Sequence, residues 1–284
     1  MPSVPSQIRS THWMGAAFAA AALMAGLGGC VHSGGPSLKP QQGRTSNDGK
    51  DLATASDQTN ADRLAKTRMD LAAAYFARGQ STDALDEVKL SLVARPDNPD
   101  AYALRGLIYA ALGEAGTADE SFLRAKQLAP HDGDVMHNYA WFLCQQKRYP
   151  EADAEFRRAM AEPAYKSTAR TLLAEGVCEA RAGQLAESER TLSRAYELDP
   201  ANPTTAVNLA QVLYKNGQYE RARFYIRRVN MKDEMASAQT LWLSAQIEHK
   251  LGQEDQVQDL GIQLRKRFPQ SPEALLFDKG KFEE

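Results

Sequence analysis

The sequence has little of what marks the sites of most enzymes and nucleic-acid-binding proteins. Its 284 residues include only three cysteines and five histidines. It has no Gly-rich phosphate loop and no G-x-S-x-G, H-E-x-x-H or C-x-x-C motif. The net charge of -2 argues against a nucleic-acid binder driven by bulk positive charge. We therefore expect no catalytic activity, cofactor, metal, small-molecule substrate or nucleic-acid partner.

Strand patterns are also missing, because no runs of Val, Ile and Thr alternate with polar residues. Helix formers dominate instead, Ala above all. With 43% hydrophobic and 25% charged residues, the chain has enough apolar material for a core and suits a folded, water-exposed protein. The sequence predicts an all-α fold.

The N-terminus has an apolar run, but the run is short. Arg9 precedes the uncharged, Ala-rich residues 13–27, which are too few to span a bilayer comfortably and match the apolar region of a secretory signal. The run ends in Leu27-Gly28-Gly29-Cys30, which resembles a bacterial lipobox. The alternative is a plain secretion signal that happens to meet a Cys. We predict a lipoprotein signal peptide over residues 1–29 and lipidation at Cys30.

The segment after Cys30 is rich in Gly, Ser, Pro, Gln and Asn and nearly free of large apolar side chains. It cannot bury enough surface to offset the entropy of ordering the chain. We expect a flexible linker over residues 30–60, with folded structure from near Ala61.

Glycines then recur at a nearly constant interval, each at a position where one helix would end and a second begin. With Lys147 in one slot that lacks Gly, the spacings are 34, 34, 36, 34 and 35 residues for Gly79, Gly113, Lys147, Gly183, Gly217 and Gly252. This period is that of the tetratricopeptide repeat. The second copy matches the repeat pattern best, with Tyr102, Arg105, Gly106, Tyr109, Ala118, Phe122, Ala125 and Pro130.

Three kinds of position repeat with this period. The small slot on each first helix reads Ala72, Gly106, Ala140, Gly176, Ala210 and Ala245. The partner slot on each second helix reads Ala84, Ala118, Ala152, Ser188, Ala222 and Val257. The bulky slot reads Val88, Phe122, Phe156, Leu192 and Ile226, and Gly261 breaks the series. Pro96, Pro130, Pro200 and Pro269 would end the second helices.

These slots predict a tetratricopeptide-repeat superhelix of six helix-turn-helix repeats over residues 61–271. A capping segment follows at 272–284, with Ser271 as a helix N-cap and Leu275 and Leu276 covering the last repeat. The third repeat occupies residues 133–166, and Tyr149-Pro150 is interpreted as its inner turn.

Three local features have two interpretations each. The "HDGDVMH" stretch, residues 131–137, could be drawn as a metal site, but helix capping by Asp is favoured. Cys144 and Cys178 could form a disulfide in an oxidising compartment, but packing as free buried cysteines is favoured. The basic "RARFYIRR" run, residues 221–228, fits a solvated helix face better than a nucleic-acid site.

First helices line a concave groove in this repeat family, so their exposed positions are the predicted partner-binding residues. Aromatic and aliphatic side chains at these positions suit an amphipathic peptide. Any one of them is about as well explained by packing between repeats. The predicted groove residues are Phe76, Leu107, His137, Trp141, Val177, Tyr214 and Trp242.

A closer resemblance rests on the lipobox, the linker, the six repeats and particular runs. "HNYAWFLCQQKRYPEADAEFRRAM", Pro163-x-Tyr165 with its two-residue lengthening, and the ending "SPEALLFDKGKFEE" are similar to the type IV pilus biogenesis lipoproteins called PilW or PilF. The resemblance implies a pilotin on the periplasmic face of the outer membrane that binds the pilus secretin and promotes its localisation and multimerisation. The alternative is a periplasmic repeat adaptor for cell-wall enzymes or another outer-membrane assembly machine.

Overall fold

The structure is a computed structural model that describes residues 59–282. Within this range it contains thirteen α-helices and no strand, and the predicted all-α repeat fold is confirmed. Cys30, the signal peptide and all but the last two residues of the predicted linker lie outside the described range. Consecutive helices form six antiparallel pairs, namely α1 (Asn60–Ala77) with α2 (Ser81–Ala94), α3 (Pro99–Ala111) with α4 (Ala115–Leu128), α5 (Gly133–Gln145) with α6 (Tyr149–Ala161), α7 (Thr168–Arg181) with α8 (Leu185–Leu198), α9 (Pro203–Lys215) with α10 (Tyr219–Asn230), and α11 (Ala238–Lys250) with α12 (Glu254–Arg267), followed by α13 (Pro272–Asp278).

The first helix of most repeats begins at a side-chain cap. The Asn98, Asp132 and Asn202 side chains accept hydrogen bonds from backbone N–H groups of the first turns of α3, α5 and α9. The second helices α2, α4, α8 and α12 end two residues before a Pro, as the sequence predicts. Each repeat therefore carries its own start and stop signals.

The inner turns reverse the chain through one residue with positive φ. Five of these residues are Gly, and the sixth is Lys147, with φ of 60°. The Lys147 N–H donates to Cys144 O and the Arg148 N–H to Leu143 O, the same pattern that Gly79 and Gln80 make after α1. The interpretation of Tyr149-Pro150 as the turn was wrong by two residues, because these two residues form the first turn of α6.

The small slots are where the two helices of a repeat cross most closely. All six are buried. A Cβ added to Gly106 would lie 2.8 Å from the Phe122 ring, and one added to Gly176 would lie 2.6 Å from Leu192 Cγ. In these two repeats, the side chain in the bulky slot lies so close to the first helix that it leaves no room for a Cβ.

The bulky slot of the sixth repeat is filled from outside the repeat. Gly261 is buried, and a Cβ there would collide with the ring of Phe277 on α13. Ser271 caps α13, as predicted. The expectation that Leu275 covers the last repeat was wrong, because it is 54% exposed while Ala274 and Phe277 are buried. Leu276 is partly buried and packs against the core cluster that contains Ala274 and Phe277.

Cys144 and Cys178 form a disulfide between α5 and α7, so the favoured interpretation of free buried cysteines was wrong. Their Cα atoms are 5.8 Å apart, inside the usual disulfide range of about 4.4–6.8 Å. The packing of neighbouring first helices sets this distance, and it cannot be read from a 34-residue separation in sequence.

Candidate peptide-binding groove

The first helices of adjacent repeats contact one another, so α1, α3, α5, α7, α9 and α11 form one continuous layer. The predicted groove residues occupy three positions relative to the small slot of their helix. These are three residues before it, one after it and four after it, which lie on one face of a helix. His137 and Trp242 take the first position, Leu107, Trp141 and Val177 the second, and Phe76 and Tyr214 the third.

Five of these seven side chains are partly exposed: Phe76, Leu107, Trp141, Val177 and Tyr214. All but Val177 pack one edge against the core clusters. A side chain with one edge in the core and one in water is held in place and still offers apolar surface. These five residues form what we call the open groove.

Trp141 has the largest side chain in the open groove. The guanidinium carbon of Arg181, at the end of α7, lies 4.8 Å from the centre of the Trp141 ring. A cation over an aromatic face is attracted by the ring quadrupole. Trp141 is therefore oriented by the next repeat before any partner arrives.

His137 is buried, and its ring makes contacts inside the protein. Its Nδ1 lies 2.8 Å from the Thr171 hydroxyl, which lies 2.6 Å from the Tyr165 hydroxyl. Burial, helped by the nearby Arg170 cation, lowers the pKa of His137 to about 4. The ring is therefore neutral at physiological pH and joins α5 to α7. A partner in the groove would have to pass the neighbouring side chains to reach the His137 ring.

Trp242 is buried too, by the C-terminal end of the described chain. The Phe282 ring stacks on Trp242 with centroids 5.2 Å apart, and the Phe277 ring meets it edge-on at 6.4 Å. The groove position of the sixth repeat is therefore filled by the protein itself.

The "HDGDVMH" stretch is used for capping and pairing. Asp132 accepts hydrogen bonds from the Asp134 and Val135 N–H groups, at 2.8 and 3.1 Å. Asp134 pairs with Arg170, and His131 lies 3.3 Å from Glu162. Over residues 59–282, no group of three or more His, Cys, Asp or Glu side chains is placed to hold a metal ion.

The basic run on α10 is largely paired with carboxylates. Arg221 pairs with Glu189, while Arg223 and Arg227 lie 3.5 and 2.9 Å from the buried Glu248. These ion pairs join α10 to α8 and α11. Phe224, on the same helix, is 56% exposed.

A buried group of carboxyls lies behind the disulfide, between α6 and α7. Glu175 and Glu179 of α7 and Asp153 of α6 line the same cavity as Cys178. Burial, followed by the neighbouring Glu179 and Asp153, raises the pKa of Glu175 to about 8. Burial also raises the pKa of Glu179. Both glutamates therefore hold a proton more tightly than a glutamate in water does.

The sequence prediction missed the residues that hold the groove side chains. Arg181, Thr171 and Phe282 are distant in sequence from the residues they contact. Gln246 and His249, by contrast, were detectable, because they stand one and four residues after the small slot Ala245. Extending the register of the earlier repeats to α11 would have identified both.

Comparison with known proteins supports the repeat assignment first. Tetratricopeptide-repeat models match residues 99–132 and 179–247. In the part of the chain that the structure covers, no helix is both long enough and apolar enough to cross a bilayer.

The chain is also similar to specific pilus proteins. It is 26% identical over 260 residues to the type IV pilus assembly protein PilF of Pseudomonas aeruginosa, covering 91% of this chain and 96% of that one. The crystal structure of PilW, a type IV pilus biogenesis factor, superposes with a TM-score of 0.70 at 29% identity over 75% of this chain and 97% of PilW. The structure of P. aeruginosa PilF has the same fold, with a TM-score of 0.66 at 24% identity over 78% of this chain and all of that one. The predicted resemblance is confirmed: the chain carries tetratricopeptide repeats and is homologous to PilF.

Proposed function

We propose that this homologue of PilF, with the fold of PilW, is a lipid-anchored scaffold for type IV pilus biogenesis. In this proposal it binds the secretin on the periplasmic face of the outer membrane and promotes its localisation there and its multimerisation. The observation that carries the proposal is the similarity to PilF along 91% of the chain.

The open groove supports a scaffolding role. Its Phe76, Leu107, Trp141, Val177 and Tyr214 side chains are partly exposed on the layer of first helices. Partly exposed aromatic side chains on a rigid surface are typical anchors for a partner segment. The proposed partner segment is an amphipathic piece of the secretin that places apolar side chains along this face.

Affinity capture from cell envelopes tests the partner. The affinity tag is placed within residues 30–60, away from both the lipobox Cys and the repeats. Secretin as the main captured protein supports the proposal, whereas cell-wall hydrolases without secretin would contradict it and favour an adaptor role.

A matched pair of variants tests the groove in the same capture. Trp141→Ala should weaken secretin binding by about 2 kcal/mol or more, since truncated aromatic hot spots typically cost this much. Phe224→Ala removes another exposed aromatic, on α10, and should leave capture unchanged. Circular dichroism checks that both variants stay helical. Equal capture by the two variants would exclude Trp141 as a contact.

The anchor is tested separately by fractionating envelopes. Cys30→Ser should release the repeats from the membrane, because several acyl chains hold a protein far more firmly than none. Val31→Asp should retain the protein at the inner membrane, since Asp after the lipobox Cys commonly has that effect in such lipoproteins. Both variants should lose secretin multimers from the outer membrane. Normal multimers despite confirmed mislocalisation of the variants would refute the coupling of anchor to partner.

A further inference from the structure

All three groove positions of the sixth repeat contact the same residue, Phe282, near the C-terminal end of the chain. Phe282 stacks on Trp242, and its ring lies nearly parallel to that of His249 with centroids 4.4 Å apart. Gln246 Nε2 donates a hydrogen bond of 3.2 Å to Phe282 O. Trp242, Gln246 and His249 stand three before, one after and four after the small slot Ala245. Phe282 therefore lies on the face that forms the groove in the other repeats.

The same positions are more exposed in the fifth repeat. Val207 and Tyr214 are partly exposed there, and Gln211 is exposed. In the sixth repeat, Trp242 is only 7% exposed and Gln246 is 9% exposed. The C-terminal segment covers the first two positions of the sixth repeat, while His249 stays partly exposed, as Tyr214 does.

The contacts of Phe282 are those of a bound peptide. The Phe282 ring is held by two rings of the helix face and meets the Phe277 ring of α13 edge-on, with centroids 5.5 Å apart. Its backbone carbonyl accepts a hydrogen bond from the Gln246 side chain. Aromatic side chains seated in packed pockets are typical anchors of a bound segment.

The segment is joined to a firmly packed helix by a short connection. Phe277 of α13 is buried over Gly261, and Gly280 reverses the chain with φ of 64° just before Lys281 and Phe282. A ligand on so short a tether has an effective concentration of about millimolar or more. A contact that is weak between separate molecules can therefore stay occupied within the chain.

We propose that Trp242, Gln246 and His249 form a peptide-binding site that the protein's own C-terminal segment occupies as a resident ligand. Its other occupant is an extended segment of a partner protein that carries an aromatic side chain and displaces Phe282. Only partners that can compete with the tethered Phe282 then bind at this site. The sixth repeat therefore requires a higher partner affinity than the open groove does. This proposal does not depend on the identity of the pilus partner.

The test uses the full chain and the synthetic peptide DKGKFEE, which has the sequence of residues 278–284. Peptide is added to millimolar concentration, and binding is followed by the NMR shift of the Trp242 indole N–H, assigned with a Trp242→Phe variant. Phe282→Ala vacates the site and keeps Phe277 in place, but it also removes an edge-on contact between the two rings, whose centroids are 5.5 Å apart. This variant should bind the peptide at least 10-fold more tightly than the wild-type chain. The peptide DKGKAEE should not bind either protein.

Two controls separate a ligand site from simple packing. Gln246→Ala in the Phe282→Ala background should weaken peptide binding several-fold, because it removes the hydrogen bond to the backbone of the ligand. Phe224→Ala, a distant aromatic truncation, should behave like the wild-type chain. If Phe282→Ala lowers stability but binds DKGKFEE no better than the wild-type chain does, Phe282 is only a packing residue and the proposal is overturned.

Discussion

The contact between Phe277 and Gly261 predicts how substitutions at these two residues change the free energy of unfolding. Phe277 is 7% exposed and fills the bulky slot that Gly261 leaves open. Phe277→Ala removes this ring and should lower the free energy of unfolding by about 3–5 kcal/mol, the usual cost of emptying a buried Phe site. Leu275→Ala, on the exposed side of the same helix, should change it by about 0.5 kcal/mol or less.

Gly261→Ala completes a double-mutant cycle with Phe277→Ala. In the wild-type chain, the added Cβ collides with the Phe277 ring, so the substitution should destabilise by about 1–3 kcal/mol. In the Phe277→Ala background, the same Cβ has room. Ala is a better helix former than Gly by about 1 kcal/mol, so the substitution should there be stabilising.

Urea unfolding followed by far-ultraviolet circular dichroism measures all four proteins. Because repeats unfold partly independently, the substitutions should shift the part of the urea transition in which the C-terminal end unfolds. If Gly261→Ala has the same effect in both backgrounds, the ring of Phe277 does not fill this slot.

Three further changes probe other parts of the repeats. Lys147→Gly should raise the free energy of unfolding by about 0.5–1 kcal/mol, because a side chain at φ of 60° is strained; Gln146→Gly, at φ of -80°, should lower it, and equal effects in urea unfolding would exclude strain at Lys147. Replacing Cys144 and Cys178 together with Ala should cost about 3 kcal/mol, and dithiothreitol should lower the melting temperature of the wild-type chain but leave that of the double variant unchanged. Burial raises the pKa of Glu175 from 4.5 to about 8, so the unfolded chain loses this proton first as the pH rises, and the free energy of unfolding falls between those pH values. Glu175→Gln should flatten this fall and add on the order of 2 kcal/mol at pH 8. An unchanged pH profile of stability would contradict the raised pKa.

The repeat positions were predictable because each is fixed by local geometry. A residue with positive φ must end each first helix, and a small residue must stand where two helices cross closely. Lys147 could be assigned to the turn without being Gly, because the period left no other position for it. The choice of Tyr149-Pro150 as the turn failed because Pro is also favoured in the first turn of a helix.

The contents of the groove were less predictable. The register placed the predicted groove residues on one face of each first helix, but a register does not show which side chains remain exposed. His137 is enclosed by Thr171 and Tyr165, and Trp242 by Phe282. Thr171 comes from the next repeat, Tyr165 from the connection that leads to it, and Phe282 from the end of the chain. Their positions depend on how the repeats stack.

The sequence by itself determined the helices, their pairing and the six-fold repetition, because these depend on interactions between residues close together in the chain. The tertiary structure decided what lies between the repeats. It brought Cys144 to Cys178 and placed Phe277 over Gly261 and Phe282 over Trp242. The disulfide depends on the rotation and displacement from one repeat to the next, and the two Phe contacts depend on how the C-terminal segment docks on the sixth repeat.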